Sequence, residues 1–158
     1  MLILGIDPGV ADTGWGVIKV TGHQLCLVDF GVIKTSAKAK FVDRLNTIHQ
    51  ELEKIIRKFK PDRVAVEELF FAKNVKTALV VGQARGVILL TAIQAKLPLS
   101  EYTPLQVKQA VTSYGRADKT QVQKMVKCLL NLRELPRPDD AADALAIAIC
   151  AAQGKKYG

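Results

Sequence analysis

The spacing of apolar residues changes part-way along the chain, and this change constrains the fold more than any other feature. Up to residue 33 the apolar residues come in three short runs separated by Asp-Pro-Gly and Thr-Gly turns. Such short connections most easily join antiparallel neighbouring strands. The runs predict strands over Leu2–Ile6, Gly14–Val20 and Leu25–Ile33.

From Phe41 onward the apolar residues recur at helical spacing, and helices alternate with short apolar strands. The predicted helices cover 41–59, 77–95, 104–112, 119–130 and 141–152, and the predicted strands cover 63–66 and 98–102. This order indicates an α/β protein with a mixed sheet and helices on its faces. The 158 residues predict a single domain, 1–158, with a frayed basic tail over about 153–158.

The charge of the chain suggests a polyanionic partner. Lys and Arg number 23 against 15 Asp and Glu, which gives a formal net charge of +8. Nucleic acid fits this surplus first and an anionic membrane surface second. We expect no transmembrane segment, because apolar runs such as Val87–Leu90 are far shorter than the roughly 20 residues a span requires.

Cysteine and histidine are too scattered to form a disulfide framework or a zinc site. The cysteines are Cys26, Cys128 and Cys150, and the two histidines, His23 and His49, stand alone. This usage fits a reducing cytoplasm, and no secretory signal is recognisable at the N-terminus. Any metal would therefore be held by oxygen ligands.

Two predicted strands end in carboxylates. Asp7 follows the first strand at an Asp-Pro-Gly turn, where aspartate also commonly serves only to organise the turn. Glu67 and Glu68 end the fourth strand. Side chains alternate along a strand, so one of the two faces the same side as Ala65 and the other the same side as Val66. Alternation alone leaves open which glutamate joins a site.

Three aspartates open the last predicted helix. Asp140 and Asp143 are three residues apart and share a helical face, and Asp139 and Asp143, four apart, can do the same. Helix capping accounts well for Asp139 and adequately for Asp140. It accounts poorly for Asp143, which stands among alanine, leucine and isoleucine residues.

Converging carboxylates would repel one another unless hard divalent cations relieved the charge. Oxygen-only ligation suits Mg²⁺ or Mn²⁺. Two such ions about 3.5–4 Å apart can activate water and stabilise the leaving oxygen of a phosphodiester. An acidic centre within a basic surface therefore predicts a metal-dependent nuclease.

Six short motifs carry a more specific signal. They are GIDPG at 5–9, TGWG at 13–16, VEELFFAKN at 66–74, GQARG at 82–86, QVKQ at 106–109 and DAADALAIA at 140–148. In this order they resemble the RuvC family, the bacterial Holliday junction resolvases of the ribonuclease H-like and retroviral integrase superfamily. The resemblance runs along nearly the whole chain.

The resemblance implies a ribonuclease H-like fold, with five strands of which the second is antiparallel to the rest, and helices on both faces. It implies Asp7, Glu67, Asp140 and Asp143 as catalytic, metal-binding residues, which selects Glu67 over Glu68. The implied cofactor is Mg²⁺, two ions per active site, with Mn²⁺ as a substitute. The implied activity is paired, symmetric cleavage of four-way junction DNA that leaves ligatable nicks.

The resemblance also implies partners and DNA contacts. The partners are a second copy of the chain and the branch-migration motor proteins RuvA and RuvB, in the bacterial cytoplasm. Phe70 is implied to meet DNA at the junction centre, by stacking of a kind that basic neighbours support. The candidate DNA-binding residues are Phe70, Phe71, Lys73, Lys76, Lys108, Arg116 and Lys119.

The helix predicted over 77–95 is nearly apolar all round, so it is expected to be buried on more than one side. One side must cover the sheet. The other side is either a monomer core or a dimer seam, in which Gly82 and Gly86 permit close approach. The resemblance favours the dimer.

Two further functions fit parts of the pattern. Gly5-Ile6-Asp7 followed by Thr13-Gly14 also resembles a phosphate loop of the actin and sugar-kinase superfamily, which needs two such domains. A junction-binding protein without catalysis is the other alternative, and the four acidic residues argue against it, since they weaken DNA binding unless metal neutralises them.

Overall fold

The computed structural model describes residues 1–69 and 74–154, and these form one five-stranded sheet with five helices. The strands are β1 (Leu2–Asp7), β2 (Asp12–Thr21), β3 (Gln24–Lys34), β4 (Arg63–Glu67) and β5 (Leu99–Tyr102). The helices are α1 (Phe41–Phe59), α2 (Val75–Gln94), α3 (Pro104–Thr112), α4 (Lys119–Leu129) and α5 (Asp139–Gln153). All ten predicted elements are present, with ends that differ from the prediction by two residues at most.

The sheet is mixed and has the strand order β3-β2-β1-β4-β5. β2 is antiparallel to both of its neighbours, while β4 pairs parallel with β1 and with β5. The predicted topology, in which only the second strand runs against the rest, is therefore confirmed. Parallel pairing brings the carboxyl ends of β1 and β4 side by side, and active sites of α/β sheets usually lie at such ends.

Helices cover the two faces of the sheet, and each face has its own apolar core. α5 lies across β1 and β2 and packs with α3 and α4 on one face. α1 and α2 cover the other face. Ile3 and Ala65 point toward α5, whereas Leu4, Val64 and Val66 point toward α1 and α2. This alternation decides the direction of the strand-end carboxylates.

Glycines on β1 and β2 let α5 lie directly against the sheet. A Cβ atom on Gly5 would come within 2.1 Å of the main-chain oxygen of Ala144, and one on Gly14 within 1.9 Å of that of Asp140. Any side chain at either position would push the helix outward. The two glycines thus set the height of the first turns of α5 above the end of β1.

α2 is long and apolar enough, by length and composition alone, to meet the requirement for a membrane span. Its most apolar 18-residue window has a mean hydropathy of 1.4, and 28% of that window is buried. The prediction of no such segment considered only uninterrupted apolar runs. Polar residues interrupt those runs in α2 but leave the mean hydropathy of the helix high. The core helix of a soluble protein passes the same test, and α2 buries Ala84, Ile88 and Ala92 against the sheet.

Candidate active site

The alternation of side chains along β1 and β4 brings Asp7 and Glu67 to the same face of the sheet. Asp7 lies two residues beyond Gly5, whose Cα faces α5, and Glu67 lies two residues beyond Ala65, which packs in the α5 core. Both carboxylates therefore point toward α5. Glu68 follows the opposite parity and is exposed. The fold thus supplies the choice between Glu67 and Glu68 that the strand pattern alone left open.

The first turns of α5 complete an acidic cluster with β1. One carboxylate oxygen from each of Asp7, Asp140 and Asp143 can be chosen so that all three lie within 4.8 Å of one another. Asp140 and Asp143 are three residues apart on the helix and therefore share the face that looks onto the end of β1. These three residues can hold a metal ion through oxygen ligands.

A cavity of about 260 Å³ opens beside this cluster. Its lining includes the carboxylates of Asp7, Glu67 and Asp143 together with the ammonium-bearing side chains of Lys108 and Lys119. Asp7 and Asp143 thus belong both to the acidic cluster and to the cavity lining, whereas Asp140 belongs only to the cluster and Glu67 only to the lining. The cavity is large enough for a phosphate group and its neighbouring oxygens.

The carboxylates destabilise one another's charged forms. Burial, followed by the charges of Glu67, Asp143 and Asp140, raises the pKa of Asp7 to about 8, and Lys119 opposes this rise. Burial and the neighbouring charge of Asp143 also raise the pKa of Glu67. A divalent cation would reverse these shifts, because it favours the deprotonated forms.

Burial is also the main cause of the raised pKa values on α5. The pKa of Asp143 is raised by burial, against the charge of Lys119 and its hydrogen bond. The pKa of Asp140 is raised by burial and then by the nearby charge of Asp12. All four candidate ligands therefore have a raised pKa in the metal-free protein.

Lys119 partly offsets the negative charge. Its Nζ lies 3.3 Å from Oδ2 of Asp143 and 3.6 Å from Oδ2 of Asp139. Burial alone would lower the pKa of Lys119, but Asp143 and Asp139 more than compensate, so the pKa is raised and the lysine stays charged. The ammonium group of Lys119 therefore lies beside the acidic cluster, although no Lys or Arg is adjacent to the four candidate carboxylates in the sequence.

Asp139 supports Lys119 and does not cap α5. The helix has Pro138 at its N-cap and makes no side-chain capping hydrogen bond there. Asp139 instead accepts a hydrogen bond of 3.0 Å from Nε2 of Gln123, a residue of α4 that is 9% exposed. The capping role considered for Asp139 is therefore wrong, and its carboxylate links α4 to the site.

The predicted DNA-binding residues are only partly brought together. Lys108 and Lys119 line the cavity, whereas Lys76 is exposed in the first turn of α2 and Arg116 is exposed between α3 and α4. Phe70, Phe71 and Lys73 lie outside the described residues, as does most of the predicted frayed tail. Their roles stay predictions.

Three polar residues near the site are not among the residues predicted from the sequence. Asp12 approaches Asp140, Gln123 holds Asp139, and Arg85 donates to the main-chain oxygen of Glu67. Arg85 stands inside the GQARG motif, which was the available signal. Asp12 and Gln123 carry no such signal, because their proximity depends on the packing of β2 and α4.

The donor set fits a divalent metal ion of the Mg²⁺ or Mn²⁺ type, since every candidate ligand is a carboxylate oxygen. Carboxylates from the ends of two adjacent parallel strands and from one covering helix, on a sheet of this order, define a nuclease of the ribonuclease H-like fold. The particular family within this class follows from comparison with known proteins.

Residues 3–151 match the family described as crossover junction endodeoxyribonuclease RuvC. The chain is 61% identical over 157 residues to the RuvC of Halothermothrix orenii, with 99% of this chain and 94% of the relative covered. It is 55% identical over 158 residues to the RuvC of Ruminiclostridium cellulolyticum, with 100% and 95% covered. The chain belongs to the RuvC family.

Solved structures give the same result. A Thermus thermophilus RuvC structure superposes with a TM-score of 0.90 at 41% identity and covers 97% of this chain and 94% of its own. T. thermophilus RuvC in complex with a Holliday junction substrate superposes with a TM-score of 0.91 at 41% identity, with 96% and 93% covered. The predicted family and the ribonuclease H-like fold are confirmed.

Proposed function

We propose that this protein resolves four-way DNA junctions by metal-dependent hydrolysis of phosphodiester bonds in two opposed strands. The observation that carries the proposal is the cluster of Asp7, Asp140 and Asp143 within 4.8 Å, beside a cavity that also holds Glu67 and two lysines. The family described as crossover junction endodeoxyribonuclease supports the activity. The Thermus thermophilus relative solved with a Holliday junction substrate supports the choice of substrate.

The metal proposed is Mg²⁺, with two ions in each site and Mn²⁺ as a substitute. Asp7 and Asp143 belong both to the acidic cluster and to the cavity lining, so they are proposed to contact both ions. When bound, the ions would activate a water molecule and stabilise the leaving oxygen of the phosphodiester. The protein's part is to gather four carboxylates at the ends of β1 and β4 and the start of α5, where bound ions would favour their deprotonated forms.

The lysines of the cavity are proposed to bind the phosphate that is cut. Both line the cavity, Lys108 from α3 and Lys119 from the start of α4. Lysine is a flexible point charge that suits a phosphate oxygen. The proposed contacts of Phe70, Phe71, Lys73, Lys76 and Arg116 would extend the interface along the DNA, with the aromatic rings stacking on unpaired bases.

The exposed side of α2 is proposed to be the dimer seam. Leu79, Leu90 and Ile93 are 60%, 57% and 58% exposed, and with Gln83 and Gly86 they recur every three or four residues along one side of the helix. This is the spacing at which two helices pack along a shared stripe. A Cβ atom built on Gly86 would meet nothing within 4 Å among the described residues, which leaves room for close approach of a second helix.

The two-fold symmetry of the proposed dimer matches the symmetry of the proposed substrate. A four-way junction has two equivalent strands, and a two-fold dimer presents one site to each. RuvA and RuvB remain proposed partners that deliver the junction, a membrane partner is not proposed, and a bacterial cytoplasmic location remains a prediction. The kinase-like alternative gains no support from the carboxylates of α5, which have no role in a phosphate loop.

Incision of a synthetic four-way junction tests the proposal. We expect paired nicks in Mg²⁺ or Mn²⁺, none in EDTA, and little cutting of a linear duplex of the same sequence. If a ligase seals the nick in each product to give intact duplex, the two cuts are symmetric. Equal cutting of junction and duplex, or ATP hydrolysis without incision, would contradict the proposal.

A further inference from the structure

Arg85 contacts the strand end that carries Glu67, but it approaches from α2 and from outside the carboxylate cavity. Its Nε donates a hydrogen bond of 3.1 Å to the main-chain oxygen of Glu67, and its guanidinium also pairs with the carboxylate of Glu101 on β5. The side chain of Arg85 is only 16% exposed. An enclosed charge of this kind is costly unless its donors are satisfied.

The hydrogen bonding of β4 shows where the Glu67 oxygen points. The amides of Val64 and Glu68 donate to the carbonyls of Pro98 and Tyr102, on the β5 side. Backbone groups of successive residues in a strand alternate between its two neighbours. The oxygen of Glu67, one residue before Glu68, therefore points away from β5 and toward β1.

The residue of β1 that should donate to this oxygen has no N–H group. Ile6 stands opposite Val66 in the parallel register, and one step further places Asp7 opposite Glu67. In a parallel pair the donor for that oxygen comes from the following residue of the neighbouring strand, which is Pro8. Proline has no amide hydrogen, so the sheet leaves the Glu67 oxygen without its usual partner.

Arg85 occupies the place of the missing donor. Pro8, Glu67 and Arg85 line one small cavity of about 210 Å³. The peptide group that follows Glu67 is thereby held at both ends, because its N–H donates to Tyr102 at 2.8 Å and its oxygen accepts from Arg85. Fixing this peptide plane fixes the last backbone torsion of Glu67, and with it the direction in which the carboxylate enters the active-site cavity.

We infer that Arg85 is a positioning residue for Glu67, that it replaces the amide which Pro8 lacks, and that Glu101 orients its guanidinium for this task. The inference rests on the proposed function, because it assigns Glu67 a part in metal-dependent cleavage. It also links α2, the helix of the proposed dimer seam, to a metal-binding carboxylate through one side chain.

The test compares Arg85→Met, Arg85→Lys and Glu101→Gln with wild type. Methionine keeps most of the volume and removes every donor, and Lys can serve only one of the two oxygen partners at a time. Arg57→Met is the matched control, since Arg57 is exposed on α1 and pairs only with a surface glutamate there among the described residues. Single-turnover cleavage at saturating junction, junction affinity in EDTA and the Mn²⁺ concentration for half-maximal cleavage are measured for each.

Arg85→Met is expected to slow single-turnover cleavage by about 10- to 100-fold, the scale of a misplaced catalytic group. It should raise the Mn²⁺ requirement at least several-fold and leave junction affinity within about threefold of wild type. Arg85→Lys should lie between, and Glu101→Gln should show a smaller loss in the same direction. Arg57→Met should match wild type throughout.

Three results would overturn the inference. One is unchanged cleavage and unchanged Mn²⁺ dependence in Arg85→Met and Arg85→Lys. Another is a loss of cleavage that tracks a lower melting temperature, with the Mn²⁺ requirement of the folded fraction unaltered; Arg85→Lys decides this if Arg85→Met does not fold. The third is a loss confined to junction affinity. Failure of wild type to cut junctions would instead refute the proposed function.

Discussion

At the scale of single residues, the site is a set of charges that the metal-free fold tolerates poorly. Burial and neighbouring negative charges raise the pKa of Asp7 to about 8 and also raise the pKa values of Glu67, Asp140 and Asp143. Lys119 relieves part of this charge through Asp143 and Asp139. Function at this site therefore costs stability, and the cost is visible whenever metal is absent.

Asp7→Asn should consequently stabilise the metal-free protein, and more so as the pH rises. The folded-state pKa of Asp7 lies above its unfolded value of 3.8, so the native state binds more protons and wild-type stability falls as the pH rises through about 8. Asn does not titrate. Melting in EDTA should show the variant gaining on wild type between pH 6 and pH 9, each kcal/mol being about 2–4 °C for a domain of this size.

Added Mn²⁺ should reverse the order, because wild type gains stability from binding the ion and Asp7→Asn loses a ligand. A difference in melting temperature between the two proteins that stays constant with pH in EDTA would show that the pKa of Asp7 is not raised in the folded protein. A melting-temperature difference that narrows toward pH 9 would show that the pKa of Asp7 is lowered and not raised by folding.

Glu67→Gln and Glu68→Gln differ only in the face of β4 on which they act. Glu67 lines the cavity and lies on the same face of β4 as the buried Ala65, whereas Glu68 is exposed. Glu67→Gln should lower junction cleavage by at least about 100-fold, and Glu68→Gln should stay within a few-fold of wild type. Both should bind the junction as well as wild type does, since neither removes a phosphate-binding cation. A larger loss of cleavage in Glu68→Gln than in Glu67→Gln would show that the functional carboxylate lies on the other face of β4.

At the scale of elements, α5 and α2 have different tasks. α5 lies on Gly5 and Gly14 and brings Asp140 and Asp143 down to the end of β1. α2 buries one side on the sheet and leaves apolar residues on the other. An uncovered apolar stripe on a well-packed domain is typical of an interface.

Leu90→Glu should convert the proposed dimer to a monomer without unfolding it. Leu90 is 57% exposed, so the new carboxylate enters water in the monomer and an apolar seam in the dimer. Sedimentation should show half the wild-type mass, and cuts in opposite strands of one junction should become uncoupled. Val42→Glu, on α1 and 66% exposed, is the matched control and should remain a dimer. A dimeric Leu90→Glu protein would exclude this stripe as the seam.

At the scale of the whole molecule, the sequence predicts most of the architecture. Period and turn signals predict all ten elements, and the family motifs predict the strand directions and the confirmed fold. Local pattern could not decide between Glu67 and Glu68, because that depends on which face of the sheet α5 covers. It also could not predict that Lys119 joins the acids, or that Asp139 pairs with Gln123 and not with the helix end, because those contacts depend on how α4 packs against α5.

The electrostatics of the molecule also become clear only at this scale. A chain of net charge +8 concentrates partly buried acid at the carboxyl ends of β1 and β4. Lys108 and Lys119 line the same cavity as Asp7, Glu67 and Asp143. In the proposed function, DNA binding and metal binding are carried by different groups, so we expect carboxylate variants to lose cleavage and to keep junction binding.

The most direct test of this account measures junction binding and junction incision together for Asp7→Asn. With Mn²⁺ present, we expect the variant to bind a four-way junction at least as tightly as wild type and to make no detectable incision. Removal of one negative charge should not weaken attraction to phosphate, whereas loss of a central ligand should abolish metal-dependent cleavage. Full incision by Asp7→Asn, or loss of incision only through loss of junction binding in a folded protein, would contradict the account.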